Sequence, residues 1–207
     1  MNIEQSKKFF EICAQLFDEN MMLLSELDAA IADGDHGASM LKGFRAMYAL
    51  IKDKQYQDIT SMWLEAARLL MKEIGGTCGP LFATIFMKGA MLVKGKAELD
   101  TGDFAKMIEA GSQGVMALGK AAPGEKTMVD ALVPAANAMK EAADAGLSLH
   151  DAFQRAHEAA LAGAEATKSM LATKGRARYQ KENAIGHQDA GATSVALIFK
   201  AFTLSVE

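Results

Sequence analysis

The sequence predicts an all-α fold in one domain that spans residues 1–207, with about eight helices that run mostly antiparallel. Good helix formers (Ala, Leu, Met, Lys and Glu) dominate the chain, and only three residues are Pro. No stretch alternates apolar and polar residues as a half-exposed strand would. Most connections between the helical stretches are short, which favours antiparallel neighbours.

Apolar residues at helical spacing predict each helix in turn. Residues 6–20 begin the series with Phe9, Phe10 and Phe17, and the helix at 58–74 holds the only Trp, Trp63. Pro80 suits the start of a helix that is apolar on nearly all sides, so we place this helix centrally. In chain order the predicted helices are 6–20, a second that ends near 30, 38–52, 58–74, 81–93, 103–118, 127–145, 148–173 and 192–204.

Composition narrows the class of protein. The formal net charge of −4 argues against a general nucleic-acid binder. The two cysteines, Cys13 and Cys78, make no disulfide framework. The first residues lack the apolar core of a signal peptide, and no apolar run reaches the roughly 18 residues of a membrane span. We therefore expect a soluble cytoplasmic protein.

Three carboxylates crowd one stretch of the chain. Asp28, Asp33 and Asp35 lie within eight positions, where they repel one another unless a cation neutralises them. Mg²⁺ or Ca²⁺, which prefer oxygen ligands, suit such a cluster, whereas the plainer alternative is a solvated acidic turn. An EF-hand is excluded because its twelfth position needs Glu. That position holds Phe44 when counted from Asp33, and Ser39 when counted from Asp28.

Three predicted helix starts, 35–39, 75–80 and 189–194, combine glycine with a hydroxyl residue. Free backbone N–H groups and the positive end of the helix dipole make such starts suitable anion sites, although ordinary N-capping explains any one of them. Beside a carboxylate cluster they indicate a site for a nucleotide di- or triphosphate. The near match to a P-loop at 114–121 is rejected, because Ala121 replaces the Ser or Thr and no strand precedes it.

The segment 174–189 lacks apolar periodicity and is basic. Loops of this length are often lids, and the guanidinium groups of Arg176 and Arg178 suit phosphate. His36 is interpreted as a phosphate-contacting or orienting residue, with helix capping as its alternative. We find no convincing nucleophile, and Cys78 is interpreted as a small polar residue of the glycine turn rather than a catalytic thiol.

Five motifs together resemble the L subunit of bacterial dihydroxyacetone kinases, the DAK2 domain family. They are Asp28-x4-Asp33-x-Asp35-His36-Gly37, Gly75-Gly-Thr-Cys-Gly-Pro80, Pro123-Gly-Glu-Lys-Thr-Met128, Lys174-Gly-Arg-Ala-Arg-Tyr179 and Gly186-His-Gln-Asp-Ala-Gly-Ala-Thr-Ser194. The resemblance covers nearly the whole chain. It implies an eight-helix antiparallel barrel closed at one end, with ADP (or ATP) and two Mg²⁺ at the other.

The resemblance also implies roles for single residues. Both metal ions would be held by Asp28, Asp33 and Asp35. The nucleotide would be contacted by His36, Gly37, Ala38, Ser39, Thr77, Cys78, Gly119, Met128, Arg176, Asp189, Ala190 and Gly191, with Gly119 and Met128 near the adenine and ribose. Two positions depart from the family pattern. Ala190 stands where Pro is usual and loosens the turn, and Arg178 stands where Ser is common and adds a charge.

The function implied is that of a nucleotide-binding kinase subunit. It would transfer a phosphoryl group to dihydroxyacetone held by a separate K subunit, and a phosphohistidine protein of the phosphotransferase system, the M subunit, would recharge it. Three alternatives stay open at this stage: an ATP-exchanging kinase subunit for another small ketose, a regulatory module that binds a transcription factor, and a purely structural helical domain. Assembly as a homodimer is also left open.

Overall fold

The computed structural model describes residues 1–207, and the all-α prediction is confirmed. The helices are α1 Ile3–Glu19, α2 Met21–Ala29, α3 His36–Ile51, α4 Ile59–Glu73, α5 Cys78–Ala90, α6 Thr101–Gly119, α7 Val129–Asp144, α8 Leu149–Ala166 and α9 Ala190–Ser205. Short 3₁₀ turns occupy Met91–Val93, Thr167–Ser169 and Ala177–Ala184. None of the helices combines the length and the apolar character needed to span a membrane.

Eight of the helices form a closed ring. From α3 to α9 each helix packs against the next one in the chain, and α1 completes the ring by packing against both α3 and α9. Helix α2 lies outside the ring, against α3 and α9. Neighbouring helices run in opposite directions, as the glycine contacts of α6 show: Gly111 faces Ile85 and Gly119 faces Leu81. The expected antiparallel barrel is therefore confirmed.

Aromatic side chains fill one end of the ring. The Phe202 ring of α9 stacks on Phe9 of α1 at 4.0 Å between centroids and on Phe153 of α8 at 4.8 Å. Trp63 of α4 stacks on the other side of Phe9 at 5.3 Å, and Phe104 of α6 contacts Phe202 edge-on at 5.6 Å. We call this the plugged end; α1, α4, α6 and α8 begin there. The opposite end, where α3, α5, α7 and α9 begin, is the mouth.

Helix capping differs between the two ends. Every ring helix that begins at the plugged end has an N-cap side chain that accepts a backbone N–H, namely Asn2, Asp58, Asp100 and Ser148. At the mouth only Asp189 of α9 caps its helix in this way. The N-cap residues of α3, α5 and α7 accept none; they are Asp35, Thr77 and Met128. The mouth thus presents helix starts whose polar groups are not satisfied by their own caps.

Two predicted boundaries are wrong. The helix predicted at 148–173 ends at Ala166, because the Thr167 hydroxyl bonds the Ala164 carbonyl and the chain tightens into a 3₁₀ turn before Met170 becomes extended. The segment 174–189, predicted as a loop, contains the 3₁₀ turns of Ala177–Ala184, interrupted at Lys181 by a left-handed φ of 52°. Apolar periodicity alone signals neither change.

Glycine permits the close packing of α7 and α8. A methyl group at Gly163 would lie 2.1 Å from the carbonyl oxygen of Asp130, whereas one at Gly102 would meet only the Asp100 carboxylate at 3.4 Å. We expect Gly163→Ala to lower the free energy of unfolding by about 1–3 kcal/mol or more. The matched change Gly102→Ala should raise it by up to about 1 kcal/mol. Urea denaturation measures both; equal effects would contradict this packing.

Candidate functional site

A cleft of about 680 Å³ opens at the mouth of the ring, a volume typical of small-molecule sites. Its lining includes the acidic turn after α2 and the apolar side chains of Leu81, Phe82, Val115 and Val129. The cleft brings together most of the residues singled out in the sequence: Asp28, Asp33, Asp35, His36, Ser39, Thr77, Cys78, Gly119, Met128, Arg176, Arg178, Asp189 and Gly191.

The three carboxylates converge. One oxygen from each of Asp28, Asp33 and Asp35 lies within 4.8 Å of the other two. Gly34 has a left-handed φ of 79°, and its N–H donates to Asp28 at 2.8 Å, which folds the turn back on the end of α2. Hard oxygen donors this close fit a divalent cation such as Mg²⁺. The assignment of a metal to these residues remains a prediction.

His36 is engaged inside the mouth. Its ring is 5% exposed, with Nε2 at 2.8 Å from Ser194 Oγ of α9 and Nδ1 at 3.9 Å from Cys78 Sγ of α5. Burial lowers the pKa of His36 to about 4, so the imidazole is neutral at pH 7. His36 therefore joins three helix starts, which favours the orienting role among the roles expected for it.

Three of the expected nucleotide-binding residues do not line the cleft with the others: Gly37, Ala38 and Ala190. A methyl group at Gly37 would lie 2.0 Å from the Met21 carbonyl oxygen, so this glycine lets α3 approach α2. Ala190 is 3% exposed and packs at the start of α9. What Gly37 and Ala38 offer a ligand is the backbone of the first turn of α3, where N–H groups lack intrahelical partners.

The basic segment 174–189 is attached to the mouth at both sides. The Thr173 hydroxyl donates to Glu125 at 2.9 Å, and the Lys174 ammonium lies 3.6 Å from the same carboxylate. Arg176 forms an ion pair with Asp33 of the acidic turn. Beneath it, a small apolar cluster joins the segment to the turn through Ile31, Ala172, Ala177 and Ala184. The segment thus reaches across the cleft, as expected of a lid.

Arg178 has a different environment from Arg176. Its guanidinium lies 4.7 Å from the ring centroid of Tyr179 and donates to the Tyr179 hydroxyl at 2.7 Å. Both side chains are exposed and line the cleft. This position therefore adds an oriented positive charge at the edge of the mouth.

Sequence reasoning missed four residues that shape the site: Glu125, Lys126, Thr167 and Ser194. Glu125 and Lys126 were recognised only as parts of a turn, since charged residues in a Pro–Gly turn usually point to solvent. Lys126 is instead 1% exposed, and Thr167 and Ser194 are fully buried. One feature of the sequence could have drawn attention to Lys126: it lies in a turn motif, 123–128, that matches the family pattern.

Burial also acts on Asp189 and Cys78. Desolvation raises the pKa of Asp189 to about 6, although its carboxylate accepts the Ala192 N–H at 2.7 Å. Desolvation raises the pKa of Cys78 to about 12, and the nearby Asp189 adds to this effect. A thiol that stays protonated at neutral pH is a poor nucleophile. The cleft therefore offers cation ligands and anion donors rather than a covalent catalyst.

A helical ring with clustered carboxylates among uncapped helix starts has relatives among known proteins. Residues 30–204 match the model of the DAK2 domain, so the chain belongs to the DAK2 domain family. Within it, the chain is 34% identical over 195 residues to the ADP-binding subunit DhaL of the PEP-dependent dihydroxyacetone kinase of Escherichia coli, with 94% of this chain and 93% of the relative covered. The family predicted from the five motifs is confirmed.

One further relative supports the same placement, and a solved structure shares the fold. ADP-binding subunit DhaL of the PEP-dependent dihydroxyacetone kinase 1 of Listeria innocua is 39% identical over 183 residues, covering 88% of this chain and 86% of the relative. The crystal structure of the C. freundii dihydroxyacetone kinase in complex with AMP-PNP and Mg²⁺ superposes with a TM-score of 0.73 at 24% identity. It covers 96% of this chain and 33% of that longer chain, and it confirms the fold.

The raised pKa of Asp189 predicts how this residue affects the stability of the protein at different pH values. Because the folded pKa, about 6, exceeds the usual value of 3.8, the contribution of Asp189 to the free energy of unfolding falls as the pH rises from about 4 to about 6. Asn caps a helix as well as Asp does. We expect Asp189→Asn to be at least as stable as the parent at pH 7, with the advantage vanishing below about pH 4. Urea denaturation across this range measures the difference; a constant loss would contradict the burial of a charged carboxylate.

Proposed function

We propose that this chain is the nucleotide-binding subunit of a PEP-dependent dihydroxyacetone kinase, with ADP held at the mouth of the ring. One observation carries the proposal: the starts of α3 and α5, which have no side-chain caps, face a cleft into which three carboxylates converge. Helix starts attract phosphate, and converging carboxylates attract the divalent cations that accompany it. The names of the two DhaL relatives, each covered over most of its length, support the same ligand.

The carboxylates of Asp28, Asp33 and Asp35 would hold Mg²⁺; the number of two ions comes from the family resemblance. Their oxygen donors suit Mg²⁺, which is bound through a few carboxylates together with substrate phosphates. Bound Mg²⁺ would supply positive charge against the phosphate oxygens. Arg176 already lies at this cluster through its ion pair with Asp33, so it stands where a phosphate and the acids would meet.

The nucleotide would span the cleft from the acidic turn to the apolar side chains. The phosphates would lie against the starts of α3 and α5, where Ser39 and Thr77 line the cleft, with Gly191 of the capped α9 beside them. The nucleoside would lie towards Gly119 and Met128, beside the apolar side chains of Leu81 and Val115. This division matches a ligand that is charged at one end and largely apolar at the other.

Phosphoryl transfer at such a site depends on position and charge rather than on a protein nucleophile. The protonated Cys78 thiol and the neutral His36 ring are consistent with such a reaction, because no side chain needs to attack phosphorus. Arg176 and Arg178 would place positive charge at the mouth. A K subunit docked at the mouth would present dihydroxyacetone, and a phosphohistidine M subunit would recharge the bound ADP.

The first experiment asks what the purified protein already holds. We expect denaturation of protein purified without added nucleotide to release stoichiometric ADP, identified by chromatography and mass spectrometry. Such retention would mark ADP as a coenzyme recharged in place. Empty protein that binds ATP and Mg²⁺ reversibly would instead indicate an exchanging kinase subunit. Protein that binds neither would overturn the proposed function.

Removal of one carboxylate tests the metal site. We expect Asp33→Asn to weaken Mg²⁺-dependent ADP binding by at least about tenfold, because the amide keeps the shape but loses the charge. Sugar phosphorylation in the reconstituted system should fall in parallel. Asp53→Asn is the matched control, since the Asp53 side chain is 88% exposed and far from any predicted ligand. Isothermal titration calorimetry with and without Mg²⁺ measures the ADP affinity of both variants. Equal affinities of Asp33→Asn and Asp53→Asn would contradict the assignment of Asp33 as a metal ligand.

A further inference from the structure

Lys126 is the least exposed charged residue of the protein. It is 1% exposed and borders the cleft. Its backbone has a left-handed φ of 60°, a conformation that non-glycine residues keep only where their surroundings hold it. A lysine placed in this way needs partners for its ammonium group, because an unpaired buried charge is strongly unfavourable.

Those partners are backbone carbonyl groups from two distant parts of the chain. The Lys126 ammonium donates to the carbonyl of Thr167, at 2.5 Å, and to the carbonyl of His187. Thr167 extends the connection, because its hydroxyl accepts the N–H of Asp189 at 2.9 Å. One ammonium thus joins the turn before α7, the end of α8 and the turn before α9.

The joined segments carry opposite parts of the proposed nucleotide site. Met128 follows Lys126 by two residues, and Asp189 follows His187 by two residues. The two parts also touch, since a methyl group at Gly191 would lie 3.5 Å from the Met128 Cβ atom. The carbonyl groups that bind Lys126 therefore tie together two segments that lie side by side.

The charge of Lys126 also faces acids at longer range. Burial lowers the pKa of the Lys126 ammonium, and Asp189 and Asp130 oppose this effect. Asp130 accepts the N–H groups of Gly124 and Thr127, on either side of the lysine. The turn at 124–127 is thus fixed both by the Asp130 carboxylate and by the Lys126 ammonium.

We propose that Lys126 is a positioning residue for the nucleotide, because its ammonium fixes Met128 and the turn Asp189–Gly191 in their binding arrangement before any ligand arrives. This inference rests on the proposed function of the cleft. Preorganisation of this kind raises affinity without a new contact. A site that is formed in only a fraction of the molecules binds its ligand with an affinity reduced by that fraction.

The test compares Lys126→Met with Lys120→Met. Both replace lysine by an unbranched apolar side chain at a left-handed position, but Lys120, with φ 48°, is exposed. We expect Lys126→Met to bind Mg²⁺–ADP at least about tenfold more weakly by calorimetry, and Lys120→Met to bind normally. Unchanged affinity in folded Lys126→Met would overturn the proposal.

Amide hydrogen exchange separates positioning from general destabilisation. In Lys126→Met we expect faster exchange at 124–128 and 187–192 with protection retained in α1 and α4, and saturating ADP should restore the lost protection. Uniformly faster exchange through the core would show a merely structural role and would overturn the proposal.

The parent protein provides a measurement that does not depend on a folded variant. Without nucleotide, the amides of Asp189 and Ala192 should already be protected; protection that arises only with ADP would contradict a preformed site. A parent protein that binds no ADP would refute the proposed function. The exchange pattern would then still report whether Lys126 holds the two segments together.

Discussion

The stacking of Phe9 on Phe202, with 4.0 Å between ring centroids, joins the first helix to the last and so closes the ring. This contact is part of the packing of α1 against α9, which turns a row of neighbouring helices into a closed ring. Aromatic pairs contribute about 0.5–1.5 kcal/mol beyond the area that they bury, and here several share one centre. Closure at this end gives the four helix starts at the mouth a fixed spacing.

The two ends of the ring differ in how the free backbone N–H groups of the first helical turns are satisfied. Each ring helix that begins at the plugged end satisfies its first turn with a residue of its own, as Asn2 and Asp100 do through capping boxes. At the mouth, the N-cap residues of α3, α5 and α7 accept no backbone N–H, and the convergence of three acids there adds repulsion. The mouth is thus stabilised least by its own residues and gains most from a bound anion and cation.

Patterns that depend on near neighbours were predictable, and contacts that depend on distant ones were not. The apolar spacing located every helix, and the local crowding of Asp28, Asp33 and Asp35 correctly predicted that these acids converge. The early end of α8 depends on one Thr167 hydroxyl bond. The burial of Lys126 depends on carbonyl groups 41 and 61 residues away. Apolar periodicity does not contain that information, so apart from the match of its turn to a family pattern a buried lysine looks like a solvated one in the sequence.

The alternation of helix direction has a consequence for how this ring can be joined to other proteins. Helix α1 begins and α9 ends at the plugged end, since Phe9 lies in the second turn of α1 and Phe202 in the last turn of α9. A domain fused after α9 would project away from the mouth and leave it open to a docking partner. The start of α1 is less suitable for fusion, because Met1 is buried and its amino group donates to the Leu99 carbonyl.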